Sequence, residues 1–129
     1  MLPYAEPVYT NSRITHGIDE TEKNLAHLQE LVGCRKLVVL VFPFKEMVYF
    51  DVIRNQVLDL DITRPSRIVL DLCHKHGITC VDLTAGLLAH RNERLYWDYD
   101  HHLNKVGQYY ASLEAERTLH ELGLLSVQP

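Results

Sequence analysis

Residues 36–42 form a strand-like run that is apolar from Leu37 onward and ends at Pro43. A strand that is apolar on both faces is typical of a parallel sheet, because helices cover both of its faces. An amphipathic helical pattern precedes the run, beginning at Asp19 and ending at Gly33. Glu22 follows Asp19 at the spacing of a capping box. A helix followed by a buried strand is half of an α/β repeat, so the sequence predicts an α/β domain with a parallel sheet.

The rest of the chain repeats this order. A helical pattern runs from Pro65 to Gly77, residues 78–83 form a second apolar strand, and residues 83–90 form a short helix. A long final helix then ends near Gly123. Four of its apolar positions are predicted to face inward: Leu103, Val106, Tyr110 and Leu113. Residues 57–62 alternate like a short strand but also fit a loop.

Length and composition indicate one domain. The chain has 129 residues, 47% of them hydrophobic, which is enough for a real core. We expect residues 1–17 to form an irregular N-terminal arm and residues 18–129 to form a single α/β domain. The net charge of −4 and the lack of a basic run disfavour a nucleic-acid partner. Neither a signal peptide nor a transmembrane run is visible, so no membrane association and a cytoplasmic location are expected for the chain as encoded.

The cysteines exclude two common small-domain classes. Three cysteines are an odd number, and no Cys-x-x-Cys spacing occurs among them. Disulfide frameworks and zinc fingers are therefore not indicated. Cys73 and Cys80 lie in apolar contexts and are predicted to be buried free thiols. No cofactor is expected.

The densest group of reactive side chains lies in residues 96–107. Asp98, Asp100, His101, His102 and Asn104 occur within seven positions, directly before the final helix. A carboxylate beside an imidazole is a common arrangement for a general base, because the carboxylate orients the imidazole. Lys45 and Glu46 follow the first strand at the edge where parallel α/β sheets bind ligands. A solvated ion pair at that edge is the simpler interpretation of these two residues.

Three segments together resemble the SGNH/GDSL-type hydrolases and acyltransferases, in particular the branch related to alginate-type O-acetyltransferases. The first is the strand followed by Pro43-x-Lys45-Glu46, and the second is the helix-Gly-strand-Asp-Leu unit of residues 76–83. The third is the Asp-x-His-Leu-Asn-x-x-Gly pattern that starts at Asp100, with Tyr96 and Trp97 before it. The resemblance formed by these three segments, taken in order, covers roughly residues 18–120.

This resemblance implies a flavodoxin-like three-layer fold, with a parallel sheet and helices on both faces, and ester chemistry. His102 would be the base and Asp100 its orienting carboxylate. Asp98 and His101 form a competing Asp-x-x-His pair, and the residues that follow the family histidine favour His102. Lys45, Asn104 and Trp97 would contact a small ester or carbohydrate ligand, and no metal is implied.

The sequence departs from that family at the nucleophile. The resemblance implies a Gly-Asp-Ser element near the N-terminus, and this sequence has none. Its serines, Ser12, Ser66, Ser112 and Ser126, do not follow an apolar strand. The glycine and Gly-x-Asn oxyanion elements are also missing. We therefore expect a truncated SGNH-like domain without autonomous activity, and we expect two copies to pair and complete the small sheet.

Two other functions compete with this one. Asp98, Asp100, His101 and His102 could bind a divalent metal, with His74 and His76 as further ligands. The Asp100-His101-His102 triplet also matches the signature of DHH phosphoesterases, although no apolar strand precedes it here. A non-catalytic binding or assembly module is the remaining alternative, in which Asp98, Asp100 and Asn104 cap the final helix and His102 is a satisfied polar group at its start.

Overall fold

The computed structural model describes residues 12–49 and 61–126. In chain order its elements are α1 (Ser12–Val32), β1 (Val38–Val41), α2 (Lys45–Val48), α3 (Arg64–Lys75), β2 (Thr79–Asp82), α4 (Thr84–Ala89) and α5 (Lys105–Glu121). The ambiguous segment 57–62 lies outside the described residues except for Asp61 and Ile62, which lead into the turn before α3. Most of the predicted N-terminal arm, residues 1–11, also lies outside them.

The two apolar runs pair in parallel, as predicted. Their register runs from Val38 opposite Thr79 to Val41 opposite Asp82. Within the described residues the sheet has these two strands. The mixed α/β class predicted from the helix-strand order is therefore confirmed.

Helices cover both faces of this small sheet. Successive strand residues point to opposite faces, so Val38 and Val39 contribute to different cores. On one face the core comprises Leu25 of α1 together with Leu72, Cys73 and Ile78. On the other face α4 and α5 help to enclose a second core, made of Val48, Val81, Leu83, Leu87, Leu95, Tyr96 and Ala111. Each strand is thus held between two apolar clusters.

Helix α1 begins at Ser12, seven residues before the predicted start. Residues 12–17 are therefore helical rather than irregular, and Asp19 lies inside the helix instead of capping it. Ile14 extends the buried stripe of the helix, and this burial outweighs the cost of about 1 kcal/mol for Gly17 in a helix. Glu22 bonds to Lys75 and His76 at the end of α3 rather than forming a capping box. The bond from Lys75, followed by that from His76, lowers the pKa of Glu22.

The inward face of α5 differs from the prediction. Val106 and Leu113 are exposed, whereas Gly107 and Ala111 are the buried positions of this helix. Leu103 and Tyr110 pack against the core as predicted. The helix lies so close to the backbone of Leu95 that Gly107 has no room for a side chain.

The cysteines are free, and Cys73 is fully buried as predicted. Cys80 is half-buried, and desolvation together with the Cys73 thiol raises its pKa to about 12. Across residues 12–49 and 61–126, no helix combines the length and apolarity needed to cross a membrane.

Candidate active site

The segment that holds the predicted catalytic residues is a closed loop between α4 and α5. An antiparallel bridge joins Tyr96 to Leu103, and the Trp97 N–H donates to the His102 carbonyl at 3.0 Å. The Asn104 N–H donates to the Leu95 carbonyl at 2.9 Å. Residues 97–102 therefore project as one exposed loop whose two ends are tied together.

The Pro43–Glu46 segment clamps this loop from the carboxyl end of β1. Tyr96 Oη donates to the Pro43 carbonyl at 2.7 Å. Lys45 Nζ donates to the carbonyls of Trp97 at 2.7 Å and Asp98 at 3.3 Å. The Pro-x-Lys-Glu segment and the histidine loop, far apart in sequence, thus form one site at the edge where parallel sheets bind ligands.

Asp100 and His102 lie next to each other in this loop, and their roles as a base and its orienting carboxylate stay a prediction. Asp100 Oδ1 accepts the His102 backbone N–H at 2.8 Å and lies 3.5 Å from His102 Nδ1. The backbone N–H is the main cause of a lowered pKa at Asp100, and the imidazoles of His102 and His101 lower it further. His102 is 86% exposed, so its imidazole is open to solvent.

The competing Asp98–His101 pair does not form. Asp98 pairs with Arg94, and His101 Nδ1 lies 3.2 Å from Glu46 Oε1. The physical reason is the clamp: α2 brings Glu46 beneath the loop, while the exposed Arg94 guanidinium lies four residues before Asp98. The site therefore holds two separate carboxylate–imidazole pairs.

Asn104 and Trp97 differ in how open they are to a ligand. The Asn104 side chain accepts the N–H groups of Val106 and Gly107 and donates to the Arg94 carbonyl at 2.6 Å. It is the N-cap of α5, and Asp98 and Asp100 do not share that role. A substrate contact by Asn104 stays a prediction, although its side chain already has four backbone partners, because it also donates to the Tyr96 carbonyl at 3.5 Å. Trp97 is 53% exposed and presents an aromatic surface in the same loop as the histidines.

In the described part of the chain, no serine hydroxyl hydrogen-bonds to either imidazole. Ser66 is buried on α3, where its Oγ contacts Met47 Sδ at 3.7 Å. Ser112 Oγ donates to the carbonyl of Tyr109 on α5. Among the described residues, the Asp100–His102 pair therefore has no serine hydroxyl bonded to it.

The predicted metal ligands do not converge. His76 ends α3 and bonds to Glu22, at the sheet edge opposite the histidine loop. The four residues of the loop are engaged separately with Arg94, Glu46 and each other. Among residues 12–49 and 61–126, no group of three or more His, Cys, Asp or Glu side chains is arranged to hold a metal ion.

Comparison with known proteins gives one informative match. No family model matches the sequence, and no curated protein is detectably similar to it. Among solved structures, the fold is similar to the O-acetyltransferase domain of Pseudomonas putida AlgJ, with a TM-score of 0.65 and 17% sequence identity. The chain therefore shares the fold of the matched part of that domain. The similarity covers 98% of this chain and 46% of that one, so the chain spans about half the length of the structure it resembles.

Two features of this site were not identified from sequence. Glu46 was predicted only to lie at the edge where parallel sheets bind ligands. Its pairing with His101 had no sequence signal, because 55 positions separate the two residues. The pairing of Arg94 with Asp98 was not predicted either. Their spacing of four residues was a signal that could have been used.

Proposed function

We propose that this chain is the histidine- and aspartate-bearing part of an SGNH-like domain that acts on O-acetyl esters of carbohydrates, and that it has no autonomous turnover. The proposal rests on the contacts between the Pro43–Glu46 segment and the histidine loop. Pro43, Lys45 and Glu46 hold the Asp100–His102 loop, so two segments of the family resemblance meet in one site. The similarity to an O-acetyltransferase domain supports the same chemistry.

In this proposal His102 is the general base and Asp100 orients its imidazole. A carboxylate next to Nδ1 favours a proton on that nitrogen and leaves Nε2 free to accept the proton of a hydroxyl. It also stabilises the imidazolium that forms when the proton is transferred. Trp97 offers a flat apolar surface on which a sugar ring can stack.

The proposed lack of turnover follows from the positions of the serines. Covalent acyl transfer needs a hydroxyl within hydrogen-bond reach of the base, and the described serines are engaged elsewhere or have no contact with it. Without a nucleophile, only binding and electrostatic stabilisation remain. The nucleophile would come from polypeptide that this sequence does not contain.

A non-catalytic carbohydrate-binding module is the second candidate. It is favoured by the combination of a half-exposed Trp97, an exposed His102 and no adjacent serine. The two candidates agree on ligand binding by the chain alone and differ in whether the Asp100–His102 pair contributes to chemistry once a serine is present.

Ligand binding and turnover test the proposal together. NMR titration of the purified chain with an O-acetylated oligosaccharide should shift the signals of Trp97 and His102. Trp97→Ala should weaken binding about tenfold, corresponding to about 1.4 kcal/mol. Tyr99→Ala is the matched control, because Tyr99 is a fully exposed aromatic residue of the same loop.

Hydrolysis of 4-nitrophenyl acetate and of the same oligosaccharide should show no saturable turnover. Saturable hydrolysis that His102→Ala abolishes would mean that the chain is an enzyme by itself. Failure of the acetylated oligosaccharide to bind at all would refute the assigned ligand class.

A further inference from the structure

Glu46 has an unusual environment for a carboxylate next to a surface loop. Its side chain is 25% exposed, and its Oε2 is closed off from solvent without a hydrogen-bond partner among the described residues. Its Oε1 lies 3.2 Å from His101 Nδ1. Burial of one oxygen restricts the rotation of the carboxylate, so the other oxygen is held toward the imidazole.

The surroundings of Glu46 fix this orientation further. Glu46 is in the first turn of α2, and its neighbour Lys45 is bonded to the carbonyls of Trp97 and Asp98. Glu46 also lies near Tyr96, since its charge, after burial and Tyr49, helps to raise the pKa of that phenol. The carboxylate and the loop backbone are therefore tied to the same four-residue helix.

The Asp100–His102 pair is organised differently. Its two residues are neighbours in one exposed loop, with Asp100 52% exposed and His102 86% exposed. Asp100 Oδ1 is also shared with a backbone N–H. The 3.5 Å separation from His102 Nδ1 lies beyond the usual range for a hydrogen bond. His101 is also largely exposed, at 70%, but its partner Glu46 is less exposed than Asp100 and belongs to a helix outside the loop. Glu46 is therefore the more rigidly held of the two carboxylates.

We propose that Glu46 is a positioning residue that accepts a hydrogen bond from His101 Nδ1 and makes His101 the imidazole of fixed orientation in this site. The neutral ring then carries its proton on Nδ1, which leaves Nε2 as the proton acceptor. Any contribution of this pair to chemistry, beside the proposed base His102, rests on the proposed acyl-transfer function. The tautomer does not depend on that function.

Nitrogen NMR of protein labelled at histidine tests the proposal directly. At alkaline pH, where imidazoles are neutral, His101 should be mainly the Nδ1–H tautomer rather than the Nε2–H form that free histidine side chains favour. Glu46→Ala should make Nε2–H the major form of His101. Glu46→Gln should retain Nδ1–H, because the amide oxygen can still accept the bond.

Asp100→Ala is the matched control, because it removes the carboxylate next to the other imidazole of the loop, that of His102. It should leave the His101 tautomer unchanged. A wild-type His101 that is mainly Nε2–H would overturn the proposal even if a variant failed to fold. An unchanged tautomer in a folded Glu46→Ala protein would do the same. Neither result depends on carbohydrate binding, so failure here is distinguishable from failure of the proposed function.

Discussion

At the scale of single residues, Asn104 links the stability of the final helix to the shape of the candidate site. Its side-chain oxygen accepts two N–H groups at the start of α5, and its amide donates to the Arg94 carbonyl across the base of the loop. The residue is nearly buried, so these bonds have little competition from water. Asparagine is among the best N-cap residues, and here its amide also closes the loop.

Asn104→Ala should therefore lower the free energy of unfolding by about 2 kcal/mol, because a cap is lost and a carbonyl is left without its partner. Urea unfolding followed by circular dichroism measures this change. Gln108→Ala is the control, since Gln108 is exposed on the same helix and makes one bond to the Leu103 carbonyl. It should change the free energy of unfolding by less than about 0.5 kcal/mol. Equal effects of the two substitutions would contradict the capping role.

At the scale of secondary-structure elements, the closeness of α5 to the Leu95 segment explains the glycine of the motif. A Cβ at position 107 would overlap the Leu95 carbonyl oxygen and lie 2.8 Å from Leu103 Cδ2. Backbone atoms cannot move aside as readily as the end of a side chain. Gly107 is therefore required by a helix that packs directly on backbone.

Gly107→Ala should destabilise the protein by about 1–3 kcal/mol, as expected for overpacking. Gly17→Ala is the matched control, because Gly17 lies within α1 and a Cβ there would meet nothing within 4 Å. That change should stabilise the protein by about 0.4–1 kcal/mol through the better helix propensity of alanine. Thermal unfolding of both variants distinguishes the two cases. A stabilising effect of Gly107→Ala would contradict the close approach of α5 to the Leu95 carbonyl.

The elements also show what sequence could predict. The strands were found because apolar runs bounded by Pro43 and Gly77 have few other interpretations, and their parallel pairing followed from the helices between them. The start of α1 was missed because burial of Ile14 is a tertiary effect. The prediction of the inward face of α5 was partly wrong, because apolar periodicity identifies large apolar residues. It does not identify a helix face that is buried through Gly107 and Ala111.

The same limit applies to the candidate site. The Asp100–His102 pair could be predicted because it is local in sequence and belongs to a recognisable motif. The bonds from Lys45 and the pairing of Glu46 with His101 could not, since they depend on how α2 meets a loop more than 50 residues away. The sequence predicts that Lys45 and Glu46 lie at the ligand-binding edge of the sheet, but it does not predict which side chains they contact there.

At the scale of the whole molecule, one apolar surface beside β1 is not covered by any of the described residues. Leu40 and Phe42 are 39% and 50% exposed, and they line a groove of about 420 Å³ with Leu83 and apolar residues of α5. Residues 37–44 carry no charge. Charged side chains are a common means by which proteins prevent edge strands from pairing with other chains, and this edge has none.

The homodimer predicted from sequence stays a prediction, and the apolar surface beside β1 is the surface through which we expect two copies to pair. Two β1 strands can pair antiparallel about a twofold axis, which would bring Leu40 and Phe42 of each copy against those of the other. Light scattering after gel filtration should give twice the 15.0 kDa mass of one chain. Phe42→Lys should shift the protein to single chains, because a charge would be buried in the paired edge.

Leu31→Lys provides the control for that experiment. Leu31 is 65% exposed on α1 and does not line the groove, so the same change of side chain there should leave the dimer intact. Loss of the dimer in both variants would indicate non-specific association of apolar surface. A single-chain mass for the unmodified protein over a wide concentration range would mean that the open edge of β1 is not covered by a second copy.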